Sequence, residues 1–453
     1  MIDAKKIDEV EAWLIKENID DIEVMVPDVA GTSRGKAMPR HRFIEGMKTN
    51  NLRMPESIFG ITVNGGFVFN DVMQETEVDI ILIPDLDTVC VAPWQREPCA
   101  SVVCSAIYED GSPVLFSPRQ ALQQVLDLYT AQGWKPVVAP EFEFYLIDKQ
   151  DDMTRPPQPP KGKSGIRDTG TQPYSIDGVD EFDDFFEEVY DFCEKQRINI
   201  DTLIHEAGPS QFEFNVNHGD PMEVADQSFF FKRMLHQTAL RHNMFATFMA
   251  RPYPDTFGSA MHVHQSVVDI KTGVNIFSTE DGDDTPIFMS HIAGLQKYIP
   301  CLMPMVAPYV NSYMRLSAQL SSPTNLHWAR ENRSVGLRVP QGGPESRRIE
   351  NRIAGSDTNP YLAIAASLAA GYLGMMEKLE APDEYKGSAY ETTNKVLPPH
   401  FYEGVTLMEN CEELKQVFSP IFLETLSQIK HKEFASYTNY LSPWETKYLL
   451  LQV

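Results

Sequence analysis

The sequence predicts an α+β protein in two parts, and three observations carry that prediction. Short strand-like runs broken by Gly, Asn and Pro fill the chain up to about Pro98; a helical segment follows a turn-rich junction; and four later runs alternate apolar and polar residues at the period of a strand. At 453 residues the chain is long enough for a large buried core and for more than one domain.

The first segment places Ile7, Val10 and Leu14 at helical spacing among charges, which predicts an amphipathic helix and not the apolar core of a signal peptide. Pieces such as "IEVMVPD" and "VDIILIPD" then read as strands of a small α+β unit. The turn-rich "YEDGSPVLFSPRQAL" leads into a helix from about Pro118 to Gln132, so the expected domains are 1–110 and 111–453. The proline-rich "QDDMTRPPQPPKGKSGIRDTGTQP" is too polar for a core and reads as an ordered surface excursion or an inter-subunit arm, and acidic "STEDGDDTP" as a second loop. Within that excursion, "GKS" at Gly162 to Ser164 has the ending of a phosphate-binding loop, but Pro157 stands where the leading glycine belongs and no strand precedes it. The most apolar tract, Tyr361 to Met376, is too short to span a bilayer and reads as a buried helix.

The formal net charge of -25 repels nucleic-acid phosphates and anionic membranes, and it attracts metals and amines. Six cysteines without a C-x-x-C pair or framework spacing predict reduced thiols in a cytoplasmic protein.

The chemistry lies in the alternating runs. In "VVAPEFEFYLID", Glu141 and Glu143 fall on one side of a strand with Phe142 and Phe144 on the other. The pattern recurs in "SQFEFNVNH" (Gln211, Glu213, Asn215 and Asn217), in "SAMHVHQSV" (His262, His264 and Ser266) and in "SRRIENRI" (Arg348, Glu350 and Arg352). One such run is an ordinary solvated edge, whereas four predict a sheet wrapped around a polar cavity, which Glu206 can join. Five carboxylates (Glu141, Glu143, Glu206, Glu213, Glu350) with His262 and no thiolate suit Mg²⁺ or Mn²⁺ more than structural zinc, and two ions nearly balance the charge. Arg315, Arg333, Arg338, Arg348 and Arg352 add forks that grip carboxylate and phosphate. The residues by themselves predict metal-assisted phosphoryl transfer onto a small acid.

An ordered series of motifs along nearly the whole chain resembles the glutamine synthetase family: "DVAGTSRGK", "EFEFYL", "HEAGPSQFEFN", "ATFMARP" followed by "GSAMHVHQS", "NSYMR", "ENRSVGLRVP" and "RRIENRIAGSDTNPYLA". The resemblance implies a small β-grasp domain, then a catalytic domain with a curved antiparallel sheet flanked by helices. It implies a homo-oligomer, usually a dodecamer of two hexameric rings, with sites between neighbouring subunits. By position, Glu143, Glu206 and Glu213 would hold the metal near the amino acid, and Glu141, His262 and Glu350 the metal among the phosphates. Arg315 and Arg352, with Gly258, would hold glutamate beside His262; Arg333, Arg338 and Arg348 would hold ATP phosphates and the transferred group; Ser266 and His264 would flank the nucleotide. The implied reaction activates the γ-carboxylate of L-glutamate with ATP and two or more Mg²⁺ or Mn²⁺ ions, and a nitrogen nucleophile then attacks the acyl phosphate.

The sequence departs from ordinary glutamine synthetase at the nucleophile. The family's acid after the substrate-binding arginine is replaced in "RLSAQLSSP" by Ser321, and its N-terminal aspartate is replaced in "RMPESIFG" by Pro55, with Glu56 one residue later as the remaining acid and the candidate base for the amine's proton, beside Arg315 and Arg333 as the other catalytic candidates. Ammonium needs negative or polar groups close around it, while an alkylamine carries apolar bulk that clashes with a tight acid cage. This pattern is similar to that of the γ-glutamylpolyamine and γ-glutamylmonoamine synthetases, as are "AGSDTNPYL" and the closing "SPWETKYLLLQV". The amine itself stays open, and ordinary glutamine synthetase and a non-catalytic nitrogen-sensing relative stand as alternatives. Phe257, where many relatives have Asn, is a further departure beside Gly258.

Overall fold

A computed structural model describes residues 3–70, 73–170, 172–316, 322–392 and 396–452. Among these, the N-terminal strands β1 (Asp21–Pro27), β2 (Ser33–Pro39), β3 (Arg53–Pro55), β4 (Asp79–Pro84), β5 (Cys90–Val91) and β6 (Cys99–Ile107) form one mixed sheet in the order β2-β1-β6-β4-β3, with β5 also on β6. The β1·β6 pair is parallel and the others antiparallel. The helix Ala4–Lys16 buries Ile7 and Leu14, as the spacing predicts, and shares a core with Phe43, Met47, Ile22, Val24 and Val102.

The second sheet comprises β7 (Trp134–Asp148), β8 (Ile200–His205), β9 (Gln211–Val216), β10 (Met244–Thr247), β11 (Met261–Asp269), β12 (Trp328–Arg330), β13 (Leu337–Val339) and β14 (Ile349–Asn351). Its order is β12-β13-β14-β11-β7-β9-β8, with β10 on β7, and it is antiparallel except for β12·β13. The fold is α+β: a small β-grasp unit followed by a curved antiparallel sheet flanked by helices. One face of β7, β9 and β11 sends Phe142, Phe144, Phe212, Phe214, Met261 and Val263 into the main core, each 0% exposed. The rings of Phe144 and Phe214 stack at 6.1 Å, and Phe231 of the helix Pro221–Arg241 closes on Phe142 and Phe214.

The helix Pro360–Glu377 is buried from Pro360 to Met375, as its composition predicts. No helix among the described residues is long and apolar enough to cross a membrane. Asn359 caps this helix through Tyr361 N–H at 2.9 Å, and its amide donates to the Asp28 carbonyl at 2.7 Å. Gly31, at φ +79°, lies against Asn359. The "DVAGTSRGK" segment therefore serves as the small unit's seat on the large one.

One sequence expectation, the place of Asn217, changes in detail. Asn217 lies beyond the end of β9, where its N–H bonds the Asn199 carbonyl. The "GKS" segment is a tight turn closed by Gly162 N–H to Ile166 O, with Lys163 paired to Asp183 at 2.9 Å.

Candidate active site

Strand register assembles the polar face. Glu141 stands directly opposite His262 on β11 and Asn215 on β9; Glu143 stands opposite Glu213; and Glu350 on β14 stands opposite His264 and, on β13, Arg338. Because side chains alternate along each strand, the same register that packs the phenylalanines leaves these groups converging on the other side.

Apart from His264, they line a cavity of about 270 Å³ with Glu206, Gly258, Arg315, Arg333 and Arg352. A second cavity of about 530 Å³ holds His264, Ser266 and Arg348, and the two share Glu141 and Asn215. The first is large enough for a small acid and the second for a larger group beside it. Every candidate described there is thus brought together except Glu56.

The electrostatics divide the acids into two sets. Burial pushes Glu141 up, but His262 Nδ1 at 3.0 Å and His264 Nε2 at 2.9 Å outweigh it and hold the carboxyl well below the usual range. Burial likewise opposes Glu350, yet Arg352 and the two histidines draw it down to about 2. Arg338 Nη1 reaches its other oxygen at 2.8 Å, and Arg352 Nη1 bonds Oε1. Glu143, Glu206 and Glu213 are less well compensated: burial raises all three, Glu143 to about 8, repulsion from neighbouring carboxylates adds to it, and Arg315, Arg333, Arg352 and backbone N–H groups offset only part of the rise at Glu143 and Glu206. Burial also pushes His262 down to about 4, so it is a neutral imidazole with a free lone pair to offer.

This donor set fits divalent cations. Ligand atoms of Glu141, Glu213 and His262 lie within 4.8 Å of one another, as do those of Glu141, His264 and Glu350. Hard oxygen donors with one imidazole, and carboxylates whose charge the protein leaves uncompensated, are what Mg²⁺ or Mn²⁺ would satisfy. The grouping differs from the expected one. Glu141 belongs to both clusters, and His264, expected beside the nucleotide, is held by Glu141 on one nitrogen and by Arg348 Nε at 3.2 Å on the other.

Arg315, on the helix Val310–Leu316, is 2% exposed and donates to the carbonyls of Ile353 (2.9 Å) and Arg352 (3.0 Å). A Cβ on residue 258 would come within 2.6 Å of Arg315 Cγ, so Gly258 is what lets that side chain pass. Gln211 Nε2 holds the Gly258 carbonyl at 3.0 Å, and Tyr145 Oη holds the Phe257 carbonyl at 2.6 Å.

Glu56 is a correction. It is 1% exposed inside the small unit, with Tyr108 Oη donating to Oε2 at 2.9 Å, and burial raises its pKa. The 3-10 turn Glu56–Gly60 is buried in that unit, and the carboxylate does not line this chain's own cavity. Ser321 lies outside the described residues. Tyr174, Ile204, Ala207, Phe257, Ser322 and Tyr390 also line the cavity. Of these, only Phe257 carries a signal in the sequence; Tyr174 arrives at the end of the proline-rich excursion, whose path no local pattern encodes.

Comparisons with known proteins agree with this geometry. The profile of the glutamine synthetase catalytic domain matches residues 115–449. The chain is 30% identical over 439 residues to the γ-glutamylputrescine synthetase PuuA of Escherichia coli (strain K12), covering 96% of this chain and 92% of that one. It is 31% identical over 456 residues to the glutamate–isopropylamine ligase of a Pseudomonas species, covering 97% of each. A solved structure described as apo GmaS without ligand superposes with a TM-score of 0.83 at 25% identity, covering 97% of this chain and 99% of that one.

Proposed function

Because this chain belongs to the glutamine synthetase family and is an ATP-dependent glutamate ligase, we propose that it joins the γ-carboxylate of L-glutamate to a primary amine, mono- or polyamine, through γ-glutamyl phosphate. The observation that carries the amine over ammonium is the position of Glu56. The family's two acids at the nucleophile are replaced by Pro55 and Ser321, and the one carboxylate left nearby is spent on Tyr108 inside the small unit. No acid cage for a small cation is then supplied from that loop. The relatives whose names specify putrescine and isopropylamine support the same reading.

The geometry supports the following roles. Arg315 and Arg352, deep in the first cavity, take the glutamate carboxylate in two-point contact. Arg333, Arg338 and Arg348 take the phosphates, with ATP reaching the first cavity from the second past His264 and Ser266. Glu141, Glu143, Glu206, Glu213, His262 and Glu350 would hold the Mg²⁺ or Mn²⁺ ions, which supply charge stabilisation for the transferred phosphoryl group. A carboxylate is a poor acyl donor and its phosphate a good one, so transfer of the γ-phosphoryl to glutamate prepares the carbon for attack. The amine attacks as its free base, because a protonated nitrogen has no lone pair. Sites shared between subunits of a homo-oligomer, a dodecamer of two hexameric rings, complete the proposal; sedimentation as a ring supports it and an active monomer contradicts it.

The test is a panel of amines with glutamate and ATP, read by phosphate release and by mass spectrometry of the γ-glutamyl product. An amide from at least one alkylamine or polyamine, at a higher kcat/KM than glutamine from ammonium, supports the reading. Glutamine as the sole or preferred product makes the protein an ordinary glutamine synthetase.

A further inference from the structure

We propose that Asp357 is a positioning residue for Arg315, a proposal that rests on the reading of Arg315 as the group that receives glutamate. Arg315 is buried, its terminal nitrogens are committed to the Ile353 and Arg352 carbonyls, and its Nε has no hydrogen-bond partner. Such a guanidinium is aimed by its backbone acceptors, but its charge needs a counter-charge behind it. Burial lowers Arg315 to about 10 and raises Asp357; Glu143 is the larger counter-charge that opposes this at Arg315, and Asp357 the next.

The carboxylate has one direct partner, and the backbone on either side of it is clamped. Ser312 Oγ donates to Asp357 Oδ2 at 2.6 Å, and Ser312 precedes Arg315 by three residues on the same short helix, so the two lie on one face. Lys232, from the middle of the helix Pro221–Arg241, donates Nζ to the Ser356 and Thr358 carbonyls, both at 2.8 Å, and so clamps the backbone on either side of Asp357. A Cβ on residue 355 would come within 2.4 Å of Asp357 Oδ1, so Gly355 leaves room for the carboxylate. Asp357 Oδ1 is buried and without a hydrogen-bond partner. The Ser312–Asp357 bond thus ties the helix that carries Arg315 to the segment whose Arg352 and Ile353 carbonyls receive its guanidinium. The cations that act on it electrostatically are Lys232 and, after it, Arg315.

The proposal separates from a purely structural role in the kinetics of the full-length protein. Asp357→Ala and the volume-conserving Asp357→Asn should raise KM for glutamate, by about tenfold for Ala and less for Asn, as expected when one charge-assisted contact is loosened. KM for ATP should stay within about twofold, because the phosphate-side arginines do not touch Asp357. Lys232→Met should move glutamate KM in the same direction by less. An equal rise in both KM values, an unchanged glutamate KM, or failure of both Asp357 variants to fold overturns the proposal and leaves Asp357 a residue of stability only. Arg315→Lys is the control: if it leaves glutamate KM unchanged, the role of Arg315 itself is wrong, whereas a raised KM there with normal Asp357 variants rejects the positioning role alone.

Discussion

Adjacent residues of β7 meet opposite fates. Phe142 and Phe144 are fully buried among Phe212, Phe214 and Phe231, and packing alone satisfies them. Glu141 and Glu143, on the other side of the same backbone, are satisfied unequally: Glu141 by two histidines, Glu143 only by the Ala260 N–H at 2.8 Å and a long contact to Gln211. One face is complete within the chain and stabilises it. The other carries charge that the chain does not compensate, and that is the signature of a surface built for ligands.

The largest expected effect comes from exchanging single residues across this divide. Glu143→Gln should lower amide formation by at least about 100-fold while leaving the melting temperature of the metal-free protein unchanged or higher, because it removes a buried acid whose ionisation burial and its neighbours oppose. Glu350→Gln should abolish activity as well. Phe144→Ala should do the reverse in kind, destabilising by about 3–5 kcal/mol in denaturant titration through the cavity it leaves. Near-normal turnover of Glu143→Gln at ordinary Mg²⁺ or Mn²⁺ concentrations would break the contrast.

A smaller effect sharpens it. Glu143, Glu206 and Glu213 have folded-state pKa values above their unfolded ones, so the native state binds more protons than the unfolded state between about pH 4.5 and the raised values, about 8 for Glu143. Stability is therefore present at the acid end of that window and lost as pH rises through it. The metal-free protein should melt lower at pH 8 than at pH 6 by calorimetry, and saturating Mg²⁺ or Mn²⁺ should shrink or reverse the difference by displacing those protons. A flat or rising metal-free profile would mean that the acids are compensated in some other way.

The smallest effect concerns the nucleophile. Ser321→Glu should shift preference toward ammonium by about tenfold, the worth of one regained charge-assisted hydrogen bond near 1.5 kcal/mol, measured as a ratio of kcat/KM values.

The two faces were legible because the strand period is two, so residues 141–144, 211–216 and 261–266 declare their sides without knowledge of the neighbours. The pairing of Glu141 with both histidines was not legible, because it depends on the register of β7 against β11, which is a long-range property. Glu56 was misplaced for a related reason. Its position after Pro55 was read from the linear motif, but the 3-10 turn that follows rotates its carboxylate toward Tyr108, 52 residues away in sequence. Asp357 was quoted within a motif and given no role, since its partners Ser312 and Lys232 come from distant helices.

The most direct test of the central claim is a competition: one vessel with the unmodified protein, glutamate, ATP, Mg²⁺ and equal concentrations of ammonium and the preferred alkylamine from the panel, with both products quantified by mass spectrometry. The γ-glutamyl alkylamide should exceed glutamine by tenfold or more, and its rate should climb with pH as the free amine becomes available. Glutamine equal to or exceeding the amide would contradict the account, leaving the polar face of the sheet as an activation centre that serves ammonium.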